Sequence, residues 1–176
     1  ARCIHRLADR RMIHLDDHVS RHWRAFASWG KDRCTIRHVL MHQTGLSTQG
    51  LWRQLQPFST WDRTIAWLEH SRPASEAGVT SAYQPLNYGF ILGELLQRVS
   101  GLSPQAYLEE HFLRPMGLKT TTWTPSAEQV AVAPRIESRT SPASAWLFNR
   151  MYLRTRMVPG FNLLTTASEL AALFQL

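Results

Sequence analysis

Residues 85–101 constrain the fold more than any other stretch. Tyr88, Ile91, Leu92, Leu95, Leu96 and Val99 recur at i, i+3, i+4, i+7, i+8 and i+11, the spacing that lines one face of an α-helix. Pro85 suits the first turn of such a helix and Gly101 its C-terminal stop. An apolar stripe of this kind has to be buried, so other elements are expected to pack on it. At 176 residues, with 44% hydrophobic and 19% charged, the chain is long enough for one domain with a real core.

The flanking elements read as shorter. Ala1 to Met12 predicts a helix with Cys3, Ile4, Leu7 and Ala8 on one face and no capping side chain ahead of it. Leu15-Asp16-Asp17 marks a turn, and His18 to Trp23 a short helical or irregular piece. Thr35 is an N-cap for a helix through His42 that buries Ile36, Val39 and Leu40 and is closed by Gly45. Ser59 or Thr60 caps a helix with Trp61, Ile65 and Leu68 inward, ending before Pro73. Ser103-Pro104 opens another, with Tyr107, Leu108 and Phe112 available for packing, which ends at Pro115 to Gly117. From Thr120 to Pro159 a strand-like piece, Thr121-Thr122-Trp123-Thr124, leads into a long loop. Thr166-Ala167-Ser168-Glu169 reads as a capping box opening a last helix, which the sequence leaves after about two turns. Without a helix start at one end or a helix stop at the other, residues 1–176 are expected to be a single partial domain truncated at both ends.

Several function classes fit the residues poorly. The net charge of +7 invites a nucleic-acid or anionic-membrane partner. Its arginines, however, are scattered from Arg2 to Arg156 with no run longer than Arg10-Arg11, and the tryptophans do not alternate with basic residues as a stacking platform would. Scattered surface charge is the reading, with no nucleic-acid partner. No apolar run approaches the ~20 residues that cross a bilayer, and Ala1 to Arg6 is not followed by the apolar stretch of a secretory leader. Cys3 and Cys34 lack metal or redox spacing, and two buried thiols are preferred to the one disulfide that the count allows. The compartment and the oligomeric state stay open.

His38 and His42 stand at i, i+4, as do His18 and His22, which suggests metal ligation. A zinc protease carries Glu beside the first His, where Arg37 and Val39 stand here, and spacing places no third ligand. Packing or hydrogen bonding is the preferred role, and neither metal nor cofactor is expected. Asp16-Asp17 reads as turn and cap rather than an acid/base couple.

An ordered series of short stretches resembles one family. Leu15-Asp16-Asp17-His18-Val19 is followed by Thr35-Ile36-Arg37-His38-Val39-Leu40-Met41-His42-Gln43-Thr44-Gly45-Leu46, then by Ser81 to Glu94 around Tyr83-Gln84-Pro85-Leu86-Asn87-Tyr88-Gly89. Val99 to Ser103, Leu113 to Leu118, Pro159 to Asn162 and Thr165 to Ala171 complete the series. Together they resemble the serine β-lactamase-like family, which includes class C β-lactamases, related esterases and D-Ala-D-Ala carboxypeptidases. The resemblance implies an α+β parent fold, an antiparallel sheet flanked by helices, of which this chain is mainly the helical region.

It also implies hydrolysis of a small-molecule ester or amide through an acyl-enzyme. A helical Ser-x-x-Lys then supplies the nucleophile and a proton acceptor on one face, a Tyr before a later helix completes the proton network, and a Lys or His followed by x-Gly lies near the C-terminus. By resemblance, Tyr83 is the general-base candidate, while the nucleophile and its lysine would lie before Ala1 and the last motif beyond Leu176, so the chain alone is expected to be inactive. A free phenol has a pKa of about 10, so such a Tyr needs cations nearby to work as a base. Ser28-Trp29-Gly30-Lys31 matches Ser-x-x-Lys by letter, but its Gly and the following Asp32 favour a loop. Many members read Tyr-x-Asn, and here Pro85 stands at the Asn position, leaving Asn87 as the substrate-binding candidate. That departure favours an esterase over a β-lactamase or D-Ala-D-Ala carboxypeptidase. A rival from another class is a non-catalytic helical binding module that offers the Tyr88–Val99 face as a groove.

Overall fold

The computed structural model describes residues 1–47, 60–150 and 154–175. Its centre is α5 (Pro85–Ser100), which packs against α1 (Arg2–Asp9), α2 (Val19–His22), α3 (Ile36–Leu40), α4 (Trp61–His70) and α6 (Pro104–Leu108). From Leu86 to Leu96 every residue of α5 is buried except the half-buried Tyr88. The periodic stripe therefore understates its burial: Gly89, Phe90, Gly93 and Glu94 are covered as well. Gly101 ends the helix at φ 75°, the left-handed stop expected of it.

Two features let α5 lose its solvent face. On one side Gly89 gives way to a crossing backbone, since a Cβ there would overlap the Pro159 carbonyl. On the other, the buried Glu94 is matched by donors: Trp61 Nε1 donates to it at 2.7 Å and Arg98 Nε at 2.8 Å. The Arg98 guanidinium lies over the Trp23 ring at 5.4 Å, and Trp23 Nε1 donates to Glu69 at 2.7 Å, joining α4 and α5 to the 3-10 stretch Arg24–Gly30.

Elsewhere the local expectations hold in outline and shift at their ends. The first helix stops at Asp9 rather than Met12, where Arg10 caps it and Arg11 turns at φ 57°. The Thr35 helix stops at Leu40, and His42, at φ 56°, reverses the chain. Gly45 does not close that helix. It takes φ 73° where its carbonyl accepts the Ala74 N–H at 2.8 Å and a Cβ would overlap the Ser75 backbone. Thr60 caps α4 by accepting the Arg63 N–H, whereas Ser59 lies outside the described residues. After α6 a π-helical turn, Glu109–Leu113, carries Phe112 and Leu113 into the core.

The long loop expected after Thr120 is a correction. It holds α7 (Ala127–Val132), opened by a reciprocal Ser126–Gln129 capping box, and α8 (Pro142–Phe148). The Thr121–Thr124 piece contributes a single antiparallel bridge, Thr122 to Leu164, and the other bridge joins His18 to Thr35; the described residues contain no longer strand. Cys3 and Cys34 are both buried and free.

The capping box expected at Thr166 is half formed. Thr166 accepts the Glu169 N–H and opens α9 (Ala167–Phe174). The Glu169 carboxylate instead reaches across the chain to the Lys119 and Thr120 amides and the Thr121 hydroxyl, at 2.8, 3.1 and 2.6 Å. Desolvation works against its charge, but these donors outweigh it and hold the carboxyl down at about 2.

Gly89→Ala is expected to lower stability by about 2 kcal/mol through overpacking; an unchanged urea midpoint would contradict the crossing. Because the Glu169 carboxyl is depressed from its ordinary 4.5 to about 2, the stability it lends is complete above pH 4.5 and lost as pH falls through about 2. The stability gap between the wild type and Glu169→Gln should therefore be widest above pH 4.5 and shrink toward pH 2 in acid unfolding series.

Candidate active site

Tyr83 stands in the segment leading into α5, 75% exposed. One residue frames it. The His42 carbonyl accepts the Ala82 N–H at 3.0 Å, and His42 Nδ1 accepts the Gln84 N–H at 3.3 Å. The imidazole centroid lies 5.0 Å from the Tyr83 ring, tilted by 59°, and 4.7 Å from the Tyr88 ring in a stacked pair. Burial pulls His42 below its ordinary 6.5, which favours the neutral imidazole that a ring acceptor needs. Burial likewise pushes the Tyr88 phenol up, with a smaller push from Tyr83.

Gln84, between Tyr83 and Pro85, anchors this segment from below. It is buried; its side chain accepts from the Thr44 hydroxyl at 2.7 Å and donates to the Leu46 carbonyl. Leu46 N–H returns to Thr44 Oγ1 at 3.2 Å. The turn 42–46 thus holds both faces of the segment that presents the phenol. Sequence spacing could not reveal this, because the partners lie about 40 residues apart. Only their places in the same family-like series hinted at it.

Asn87, in the first turn of α5, is 2% exposed, and its Nδ2 has no hydrogen-bond partner. The structure therefore brings Tyr83 to the surface and Asn87 to the interior. Below them a groove of about 500 Å³ runs between α1, α5, α6 and α9, bordered by Ala1, Tyr88, Gly89, Leu92, Leu108 and Phe174. Tyr88 reaches its rim, and Tyr83 does not line it.

Ser28-Trp29-Gly30-Lys31 has no catalytic geometry. Ser28 and Trp29 leave helical conformation, with Trp29 at φ 63°, so the motif does not share a helical face. The Ser28 hydroxyl donates to the Ala25 carbonyl. Lys31 is fully buried and donates to three carbonyls, of Ser28 at 2.7 Å, Glu69 at 3.1 Å and Ser71 at 2.6 Å, the last two at the end of α4. Burial lowers this ammonium to about 8, which leaves it charged at neutral pH. Its task is to cap a helix. Burial also pushes the nearby Cys34 thiol up to about 12, far from a nucleophilic thiolate.

The paired histidines do not form a metal centre. His38 Nδ1 accepts the Thr35 N–H in a capping box, while His42 lies beyond the helix end. His22 pairs with Asp17 at 3.1 Å, and His18 stands at the N-cap position of α2 without a side-chain cap bond. No group of three or more His, Cys, Asp or Glu among the described residues could hold a metal ion. Asp16 is gripped by Arg37 through two bonds, and Asp17 accepts the His14 amide and Arg21, so both serve turns as expected. No helix among the described residues is long and apolar enough to cross a membrane.

A family model described as Beta-lactamase matches residues 1–176. Esterase/beta-lactamase LipL of Mycobacterium tuberculosis is 34% identical over 119 residues, covering 66% of this chain and 27% of LipL. A penicillin-binding protein homolog from Caulobacter crescentus superposes with a TM-score of 0.73 at 26% identity, covering 97% of this chain and 50% of that one. A family VIII carboxylesterase gives 0.77 at 24% identity over 93% of this chain and 48% of its own, a likeness of fold. The fold is thus the helical region of the α+β β-lactamase/transpeptidase-like architecture. The chain spans about a quarter of the curated relatives it matches and about half of these solved structures.

Replacing Lys31 by Met should strand three buried carbonyls and cost about 3 kcal/mol of unfolding free energy. A urea titration in which Lys31→Met matches the wild type would refute the capping role.

Proposed function

The chain belongs to the beta-lactamase family, and from that membership we propose that it carries the tyrosine side of a serine hydrolase site acting on a small-molecule ester. Residues 1–176 are then a single partial domain, and polypeptide outside them supplies the Ser-x-x-Lys helix, the Lys/His-x-Gly strand and the sheet that covers the apolar groove. The single observation that carries this reading is the exposed phenol of Tyr83, held at the start of α5 by backbone and ring contacts to His42. The sole Ser-x-x-Lys in the chain is a helix-capping structure, which supports placing the nucleophile elsewhere in the complete protein.

In the complete site, the serine hydroxyl attacks the ester carbonyl while its proton passes to the lysine–Tyr83 pair. The same pair returns the proton to the departing alcohol. Water then repeats the sequence on the acyl-enzyme and releases the acid. The lysine cation beside Tyr83 favours the phenolate, which a phenol needs if it is to act as a base at neutral pH. Asn87 is buried, so rather than meeting substrate directly its unpartnered Nδ2 is a donor that a carbonyl of the lysine-bearing segment would satisfy. Pro85 removes the amide of the usual Tyr-x-Asn, which supports an esterase over a β-lactamase or D-Ala-D-Ala carboxypeptidase. The name of the Mycobacterium tuberculosis relative, esterase/beta-lactamase LipL, spans both activities and supports the common chemistry. Burial of most of α5 disfavours the binding-module reading, because its apolar stripe packs largely within the chain and only its edge along the groove is open.

Chromogenic ester and chromogenic cephalosporin, offered to the 176-residue chain and to a longer polypeptide carrying its flanking sequence, test the proposal. The longer polypeptide should hydrolyse the ester faster than the cephalosporin, and Tyr83→Phe should cut its kcat by about 10²–10⁴-fold. Turnover by the 176-residue chain, or an unaffected Tyr83→Phe enzyme, would sink it.

A further inference from the structure

We infer that His42 is a positioning residue for Tyr83, a role that rests on the proposed part of Tyr83 in acyl transfer. Three separate contacts converge on the phenol's own segment. The His42 carbonyl holds the amide before Tyr83, its Nδ1 holds the amide after it, and its ring lies against the phenol. No other described residue contacts the segment on both sides of Tyr83 in this way. Tyr88 stacks on the same imidazole and fixes its plane from α5, so the Tyr83 ring is referenced to the central helix through His42. His42 takes φ 56°, a conformation seldom adopted outside glycine. Such outliers persist where surrounding contacts over-determine them.

The device has a built-in pH limit. Nδ1 accepts the Gln84 amide only while it carries no proton, so protonation turns that contact into two opposed donors. The titratable groups facing the imidazole are the phenols of Tyr83 and Tyr88. Charged groups on the neighbouring elements are engaged elsewhere, Arg37 with Asp16 and Glu94 with Arg98 and Trp61, and burial alone accounts for the lowered imidazole. Desolvation lowers the imidazole below 6.5, so folded chain releases this proton more readily than unfolded chain. The contribution of the bracket is complete above about pH 6.5 and lost as pH falls through the lowered value.

The test has a spectroscopic and a kinetic arm, with His42→Asn keeping an acceptor and His42→Phe keeping only a ring. In NMR of the 176-residue chain, the Gln84 amide and Tyr83 ring signals should move together through the His42 midpoint, below pH 6.5, and lose that transition in both variants. In the longer polypeptide, His42→Phe should lower kcat about tenfold or more with KM within about twofold, and His42→Asn should recover most of it without the wild-type acidic limb. A purely structural His42 would change stability and leave the acidic limb in place. Tyr83 and Gln84 signals that ignore the His42 titration, or a His42→Phe enzyme with wild-type kcat, would overturn the inference. Failure of the hydrolase reading looks different: Tyr83→Phe retains wild-type kcat while the coupled titration persists.

Discussion

A helix buried on nearly every side has no freedom to tilt, and α5 is in that position from Leu86 to Leu96. Close backbone approach at Gly89 seats the 158–161 segment on one side, and the Trp61–Glu94–Arg98 contacts fix the other. The residues just ahead of its first turn inherit that rigidity. Tyr83 is therefore exposed without being loose, because Gln84 is stapled to Thr44 and Leu46 and His42 holds the amides on either side of the phenol. A catalytic group on a surface segment needs this kind of support from packed elements beneath it.

Much of this was legible in the sequence, for identifiable reasons. The 3.6-residue period between Tyr88 and Val99 gave α5, and the caps at Thr35, Thr60 and Ser103 gave three helix starts, since these are local interactions written in adjacent residues. The loop character of Ser28 to Lys31 followed from Gly30 and Asp32, although the three carbonyls that occupy the ammonium could not be foreseen. Family membership was readable because the stretches recur in order, where none alone would have sufficed.

What was not legible lies in non-local contacts. His42 reads as the last residue of a helix, and only the fold shows the chain reversing there to meet a segment some 40 residues later. Glu169 satisfies every local rule of a capping box yet spends its carboxylate on Lys119 to Thr121, where three donors outbid one nearby amide. The helices α7 and α8 are too short to show a period, though Ser126 and Gln129 carried a capping signal that composition obscured.

The central claim is that Tyr83 serves a serine located outside these 176 residues. Intact-mass measurement after brief exposure to an activated ester addresses it directly. The expected result is one added acyl group on the serine of Ser-x-x-Lys in the longer polypeptide, forming more slowly in Tyr83→Phe, and no adduct on the 176-residue chain. A stable acyl group on Ser28 or another serine of the chain by itself, formed at the rate of the longer polypeptide, would contradict it.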